Sequence, residues 1–337
     1  MRSVPNPEQA LRPAAVARAL ECIAPHVRRT PVERSSSLDA LAGARLYFKC
    51  EPLQRTGSFK LRGALHAVLG LSPEAASRGV AAHSSGNHAL ALAHAARLRG
   101  IVCSVVMPRD AAAPKRAGVA RLGARIVPCG PGQRAREQAL EALLRRTGAT
   151  EIHPHEHPAV IAGQGTACLE LLEQVEERLD AVVVPVGGGG LLAGTVLAAR
   201  LWGDVQVYGA EPAVVDDAAR SLAAGALQPP PVATSVADGL LTGLGRRAWA
   251  VLREGTTGIL TVDERRILEA MRLVWERLKL VVEPSAAVPL AAVLAHRAQF
   301  QGRRVGIVLT GGNVDLGRNW AALWAGPAGR AGAGGDR

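Results

Sequence analysis

Short apolar runs alternate with segments of helical spacing along most of this chain, and that rhythm constrains the fold more than any other feature. RLYFKCE (45–51) predicts a strand and 58–71 a helix. GVAAHS (79–84) predicts a strand before a helix over 86–99, and IVCSVVMP (101–108) a buried strand before a helix over 113–122. ARIVPC (124–129) leads into a helix over 133–146, and DAVVVPVGGGG (180–190) runs through glycines into a helix over 191–201. VQVYGAEP (205–212) and GRRVGIVLTGGN (302–313) add further strands. Apolar strands separated by helices imply an α/β fold of open, twisted, mostly parallel sheets with helices on both faces. Residues 78–155 repeat strand and helix at short spacing and read as a small domain. IHPHEHP (152–158) is a polar, proline-broken hinge back to a large domain made of 1–77 and 156–324. The patternless 325–337 reads as a disordered tail, and no internal repeat is visible.

Composition narrows the function. A net charge of +11 raises the question of nucleic acid. The arginines are spread along helices, and aromatics make up only 3% of the chain, too few for base stacking. A solvated arginine-rich surface is the simpler account, with no nucleic-acid partner expected. Five cysteines (Cys22, Cys50, Cys103, Cys129, Cys168) form no C-x-x-C pair and read as buried thiols in a reducing compartment. With no signal peptide and no bilayer-length apolar run, the expectation is a cytoplasmic protein without a membrane partner.

Of 40 lysines and arginines only four are lysines: Lys49, Lys60, Lys115 and Lys279. Lys60 sits in RTGSFKLRGAL, a polar turn at the start of a helical pattern. An amine can lose its proton and attack a carbonyl, which a guanidinium cannot do. In PVGGGGLLAGT (185–195) a strand runs into four glycines and a helix. Such a loop can turn several N–H groups onto a phosphate, or be a flexible turn. It matches neither a Walker loop nor the dinucleotide G-x-G-x-x-G spacing. The polar residues of HSSGNH (83–88) can hold a carboxylate at a helix start, or simply cap it. In LTGGNVD (309–315), Thr310 offers a hydroxyl at a strand end, or a plain turn. Glu211, Asp216 and Asp217 in GAEPAVVDD offer oxygens to Mg²⁺ or Ca²⁺, or form an acidic helix start. All four segments fall at carboxyl ends of predicted parallel strands, where open α/β sheets bind ligands. A phosphate cradle, a placed lysine and a carboxylate loop together point to pyridoxal 5'-phosphate held as a Schiff base.

TGSFKLRGAL, HSSGNHALALA, VIAGQGT, VGGGGLLAG, ADG, VEPSAA and LTGGNVDL resemble, in the same order, the serine racemase and serine/threonine dehydratase family of fold type II pyridoxal phosphate enzymes. The match runs from about 30 to 318. It implies a large domain, a smaller mobile domain and a cofactor between them. Lys60 would be the Schiff-base lysine and the α-proton base, with Phe59 against the cofactor ring and Asn87 on its 3-oxygen. Gly187, Gly188, Gly189, Gly190 and Leu191 would hold the phosphate, and Thr310 would face the ring nitrogen. Ser84, Ser85, Asn87, His88 and Arg136 match positions that take the substrate carboxylate and close the site. Glu211, Asp217 and the Val215 carbonyl match a divalent-cation site. A homodimer is the family's expectation.

Two positions depart from the family pattern. Thr310 stands where serine is usual. His155 stands where dehydratases often carry an apolar aromatic and racemases an asparagine, so it can touch cofactor or substrate. The resemblance implies water elimination from L-serine or L-threonine to give a 2-oxo acid and ammonia. Serine racemase ranks second, because the Ser85 hydroxyl can work the face opposite Lys60, and 3-hydroxyaspartate dehydratase third. A β-replacement synthase fits the SSGNH and acidic motifs less well. A non-catalytic cofactor-binding protein would be expected to lose Lys60 first.

Overall fold

The computed structural model describes residues 11–84, 86–109 and 113–324, which places Ser85 and the 325–337 tail outside the described residues. Among the described residues, ten strands form two sheets. Their ranges are β1 (Val32–Glu33), β2 (Arg45–Cys50), β3 (Val80–His83), β4 (Cys103–Pro108), β5 (Arg125–Cys129), β6 (Thr150–Glu151), β7 (Ala181–Pro185), β8 (Gln206–Pro212), β9 (Gly258–Val262) and β10 (Arg304–Leu309). The larger sheet runs β1-β2-β10-β7-β8-β9 and the smaller β5-β4-β3-β6. Every pairing is parallel except β1 with β2.

The central strands are continuous apolar runs because both faces of each sheet are covered. Every residue of β7 is buried. Helices Glu264–Arg277 and Pro284–Ala295 cover one face of the larger sheet, and Pro158–Gln174, Gly190–Trp202 and Arg246–Gly255 the other. Lys60–Leu69 and Asn87–Arg99 cover one face of the smaller sheet, and Gln133–Thr147 the other. Cys50, Cys103 and Cys168 are buried thiols as expected, whereas Cys22 is exposed.

Helix Pro158–Gln174 joins the parts that position the site. Glycines let it approach two neighbours at backbone distance. A Cβ on Gly163 would lie 2.6 Å from the Gly63 Cα, and one on Gly165 2.5 Å from the Gly194 carbonyl oxygen. The helices that begin at Lys60 and at Gly190 are thereby pressed against one common rod. A buried ionic cluster fastens the first of them. The Arg62 guanidinium donates to both Glu51 oxygens and both Glu170 oxygens, each at 2.8 Å. Lys49 Nζ donates to Thr30 O (2.8 Å), Glu170 Oε2 (2.7 Å) and Gln174 Oε1 (2.6 Å). Two cations and two carboxylates balance, and all four side chains are buried. Lys49, another of the rare lysines, therefore has a structural place.

Candidate active site

The residues singled out in the sequence converge at the carboxyl ends of the parallel strands. Lys60 opens its helix directly after the Ser58–Gly311 bridge, and the Thr310 carbonyl accepts the Phe59 N–H at 2.9 Å. The strand end at Thr310 thus fixes where the Lys60 helix starts. Lys60 Nζ donates to the Pro154 carbonyl at 3.1 Å and lies 5.1 Å from the centre of the half-buried Phe59 ring. Burial pulls its pKa down to about 8, against the opposing pull of Glu283, so a sizeable fraction of the amine is neutral near physiological pH.

The glycine loop is a shaped cradle. Gly189 has φ +83°, and no position in the loop has room for a side chain. A Cβ at Gly187 would meet the Leu240 Cα at 3.0 Å and Thr242 Oγ1 at 3.1 Å. One at Gly188 would lie 2.3 Å from the His155 ring, and one at Gly189 2.5 Å from Leu244 Cδ1. Close packing around it excludes a flexible turn. Among the described residues, no protein acceptor takes the backbone N–H groups of Gly187, Gly188, Gly189, Gly190 or Leu191. Grouped donors at a helix start suit a phosphate.

A second helix start, that of Asn87–Arg99, carries the polar loop. Ser84 Oγ accepts the Gly86 N–H at 3.3 Å. Asn87 Nδ2 donates to Glu283 Oε1 at 2.7 Å, and Asn87 Oδ1 accepts from Asn313 Nδ2 at 2.8 Å. His88 is buried, and its Nε2 lies 2.7 Å from the Ile152 carbonyl, so that nitrogen carries the proton. Burial, with Lys60 nearby, drives His88 down to about 3 and keeps it neutral. Arg136 stands on the Gln133–Thr147 helix of the smaller sheet.

The acidic segment lies at the end of β8. Glu211 is buried, its carboxylate accepts the N–H groups of Ala219 (2.7 Å) and Ala218 (3.3 Å), and Asp217 Oδ2 accepts that of Leu244 (2.9 Å). Burial raises Glu211 to about 8, with Asp217 and Asp216 adding to the rise against the backbone donors. Val215 sits in the 3-10 turn between them. Among the described residues no three His, Cys, Asp or Glu side chains are spaced to hold a metal ion, so the cluster is two carboxylates and a carbonyl at most.

The hinge 152–158 is half-buried, because His155 packs against the glycine loop. Sequence reasoning missed Glu283, Asn313, Leu240 and Thr242. VEPSAA and LTGGNVDL contained the first two, but nothing local said that they would meet Asn87.

The comparisons with known proteins follow the same geometry. The family model for pyridoxal-phosphate dependent enzymes matches residues 23–311. The chain belongs to the pyridoxal-phosphate dependent enzyme family. A β-hydroxyaspartate dehydratase of Paracoccus denitrificans is 48% identical over 299 residues, covering 88% of this chain and 95% of that protein. A serine racemase of Dictyostelium discoideum is 46% identical, covering 86% and 91%. A solved threonine deaminase of T.th. superposes with a TM-score of 0.84 at 46% identity, covering 90% and 98%. The superposition with the threonine deaminase covers both sheets' worth of chain, so that solved structure shares the fold found here. The cradle, with its unaccepted N–H groups and no room for side chains, and the neutralisable amine of Lys60 fit the phosphate and aldehyde ends of that cofactor.

Proposed function

We propose that this chain eliminates water from β-hydroxy α-amino acids, L-serine and L-threonine first among them, yielding a 2-oxo acid and ammonia. The observation that carries the reading is Lys60: a half-buried amine, lowered to about 8, held on the Pro154 carbonyl within a site whose other wall is the glycine cradle. When bound, pyridoxal 5'-phosphate supplies an electron sink for the substrate's α-carbon. The N–H groups of Gly187 to Leu191 would hold its phosphate, with Phe59 along its ring and Asn87 on its 3-oxygen. Thr310 would offer a neutral hydroxyl to the ring nitrogen, which suits elimination at the β-carbon. Ser84, Ser85 and the N–H groups at the start of Asn87–Arg99 would bind the α-carboxylate, and His88, whose one proton goes to the Ile152 carbonyl, would hold that helix start in place. The neutral Lys60 amine would take the α-proton and could return it to the β-hydroxyl, which then leaves as water; hydrolysis of the product consumes one water and releases ammonia and the 2-oxo acid.

Glu211, Asp217 and the Val215 carbonyl hold a divalent cation beside the cradle, because burial raises both carboxyls and Asp217 raises Glu211 further, which calls for a positive charge. We read the protein as a cytoplasmic homodimer whose smaller sheet closes over the larger. Among the described residues no helix is long and apolar enough to cross a membrane.

Incubation of the holoenzyme with L-serine and L-threonine, with 2-oxo acid and ammonia measured, tests the reading. Equal amounts of both products are expected, with only a small yield of D-serine. Ser85→Ala should abolish D-serine formation and leave most of the elimination. Racemisation without oxo acid would overturn the lyase assignment.

A further inference from the structure

The arginines are spread along the sequence, but the fold does not spread them evenly over the surface. Residues 78–155 hold twelve lysines and arginines against four aspartates and glutamates, a net +8 of the chain's +11. In a parallel sheet each connecting helix runs back, so its carboxyl end lies at the edge where the next strand begins. All pairings of the smaller sheet are parallel. Arg78, Arg97, Arg99, Arg121, Arg145 and Arg146 stand in the last turns of Pro73–Arg78, Asn87–Arg99, Ala113–Arg121 and Gln133–Thr147, which lead into those strands, and Arg125 opens β5. The topology therefore gathers seven guanidinium groups on one edge. The candidate active site lies at the opposite edge, by the strands' carboxyl ends.

Arg145 pairs with Glu141 of its own helix, and Arg78 and Arg99 donate to the backbone carbonyls of Gly148, Val68 and Leu71. Arg97, Arg121, Arg125 and Arg146 are exposed and make no hydrogen bond or ion pair among the described residues. In the large domain, by contrast, Arg34, Arg45, Arg220, Arg265, Arg272 and Arg304 each meet a carboxylate within 3.0 Å. A helix carboxyl end favours one cation, which accounts for each arginine singly. It does not account for four that face no carboxylate, and like charges gathered on one edge repel until an anion covers them. Arg97 and Arg121 line one cleft of about 320 Å³, floored by Ala93, Ile101 and Leu122.

We propose that this edge binds the phosphate backbone of double-stranded nucleic acid without regard to sequence. Guanidinium forks match phosphate oxygens in pairs. Residues 78–155 contain no Phe, Tyr or Trp on which an unpaired base could stack, which favours a duplex over a single strand. Among the described residues of this domain, Leu98 and Val102 are the exposed large apolar side chains. Two are too few for the apolar centre of a protein interface or for insertion into a bilayer.

Fluorescence anisotropy of a labelled DNA duplex of about 20 base pairs, titrated with holoenzyme, tests the proposal. With four phosphates held, binding should weaken roughly a hundredfold between about 50 and about 200 mM salt. Arg97→Gln, Arg121→Gln, Arg125→Gln and Arg146→Gln combined should weaken binding at least about tenfold at the lower salt and flatten the salt dependence, with Tm and cofactor absorbance kept. If that protein melts early, Arg97→Gln with Arg121→Gln is measured in its place, and about half the change in salt slope is expected. The control removes the same charge from exposed large-domain arginines without hydrogen bond or ion pair among the described residues: Arg18→Gln, Arg246→Gln, Arg277→Gln and Arg297→Gln. It should stay within about twofold of wild type. Equal losses in both sets would mean overall charge alone and overturn the edge. So would no binding at the lower salt, or polyglutamate or phosphatidylglycerol vesicles binding as tightly as the duplex.

Discussion

We propose that Lys60 carries the chemistry, because its surroundings make its amine easy to deprotonate. Burial lowers the pKa to about 8, and the opposing effect of Glu283 is smaller. The charged form dominates below that value and the neutral, nucleophilic form above it. Uptake of pyridoxal phosphate by apoprotein should therefore quicken as pH rises through about 8 and then level off, followed by the appearance of visible absorbance. A rate still climbing near pH 10 would mean an ordinary exposed lysine. His88 shows the same principle with the opposite use. Burial takes its pKa down to about 3, so it stays neutral, and its one N–H ties the Asn87–Arg99 helix to the Ile152 carbonyl. Lys60 was legible in the sequence because lysine is rare here and sits in a polar turn. The partners of Asn87 were not, since Glu283 and Asn313 lie 196 and 226 residues away along the chain.

At the scale of elements, the Lys60–Leu69 helix is aimed by its anchoring. Its first turn follows the strand end at Thr310, its glycine face meets Pro158–Gln174, and Arg62 pins it to Glu51 and Glu170. Burial alone would raise Glu51, but Arg62, with Lys49 and the Thr30 hydroxyl, outweighs that and holds the carboxyl below the usual range. Arg62→Met should cost about 3–5 kcal/mol, because two buried carboxylates lose their main partner while only Lys49 remains. Urea unfolding measures this. A loss below about 1 kcal/mol would mean the cluster is replaceable. The strands at 45–50, 80–83, 103–108, 125–129, 181–185, 206–212 and 304–309 all fall within runs read from the sequence, because buried parallel strands are apolar on both faces. β1 and β6 escaped notice because each spans two residues. β9, GILTV, is short and half-buried at the sheet edge, so its pattern is weak.

On the scale of the whole molecule, the proposed cofactor and cation sites both lie at strand ends of the larger sheet, which would link stability to function. A divalent cation at Glu211 and Asp217 should stabilise the fold by roughly 2.7 kcal/mol at a hundredfold excess over its Kd. Chelation should lower Tm in wild-type protein and leave Glu211→Gln unmoved. A Tm indifferent to chelator and to Mg²⁺ would make the segment an acidic helix start only. Two layered sheets followed from the alternation of strands and helices. The place where they face one another was legible only through HSSGNH and the hinge, since no local pattern says that His155 will lie on Gly188. The central claim is that Lys60 binds the cofactor's aldehyde, and one measurement tests it most directly: borohydride reduction of the holoenzyme, proteolysis, and mass mapping of the modified lysine. The account predicts the label on Lys60 alone, with Lys60→Ala colourless and inactive. A label on Lys49, Lys115 or Lys279 in the wild-type protein would contradict it.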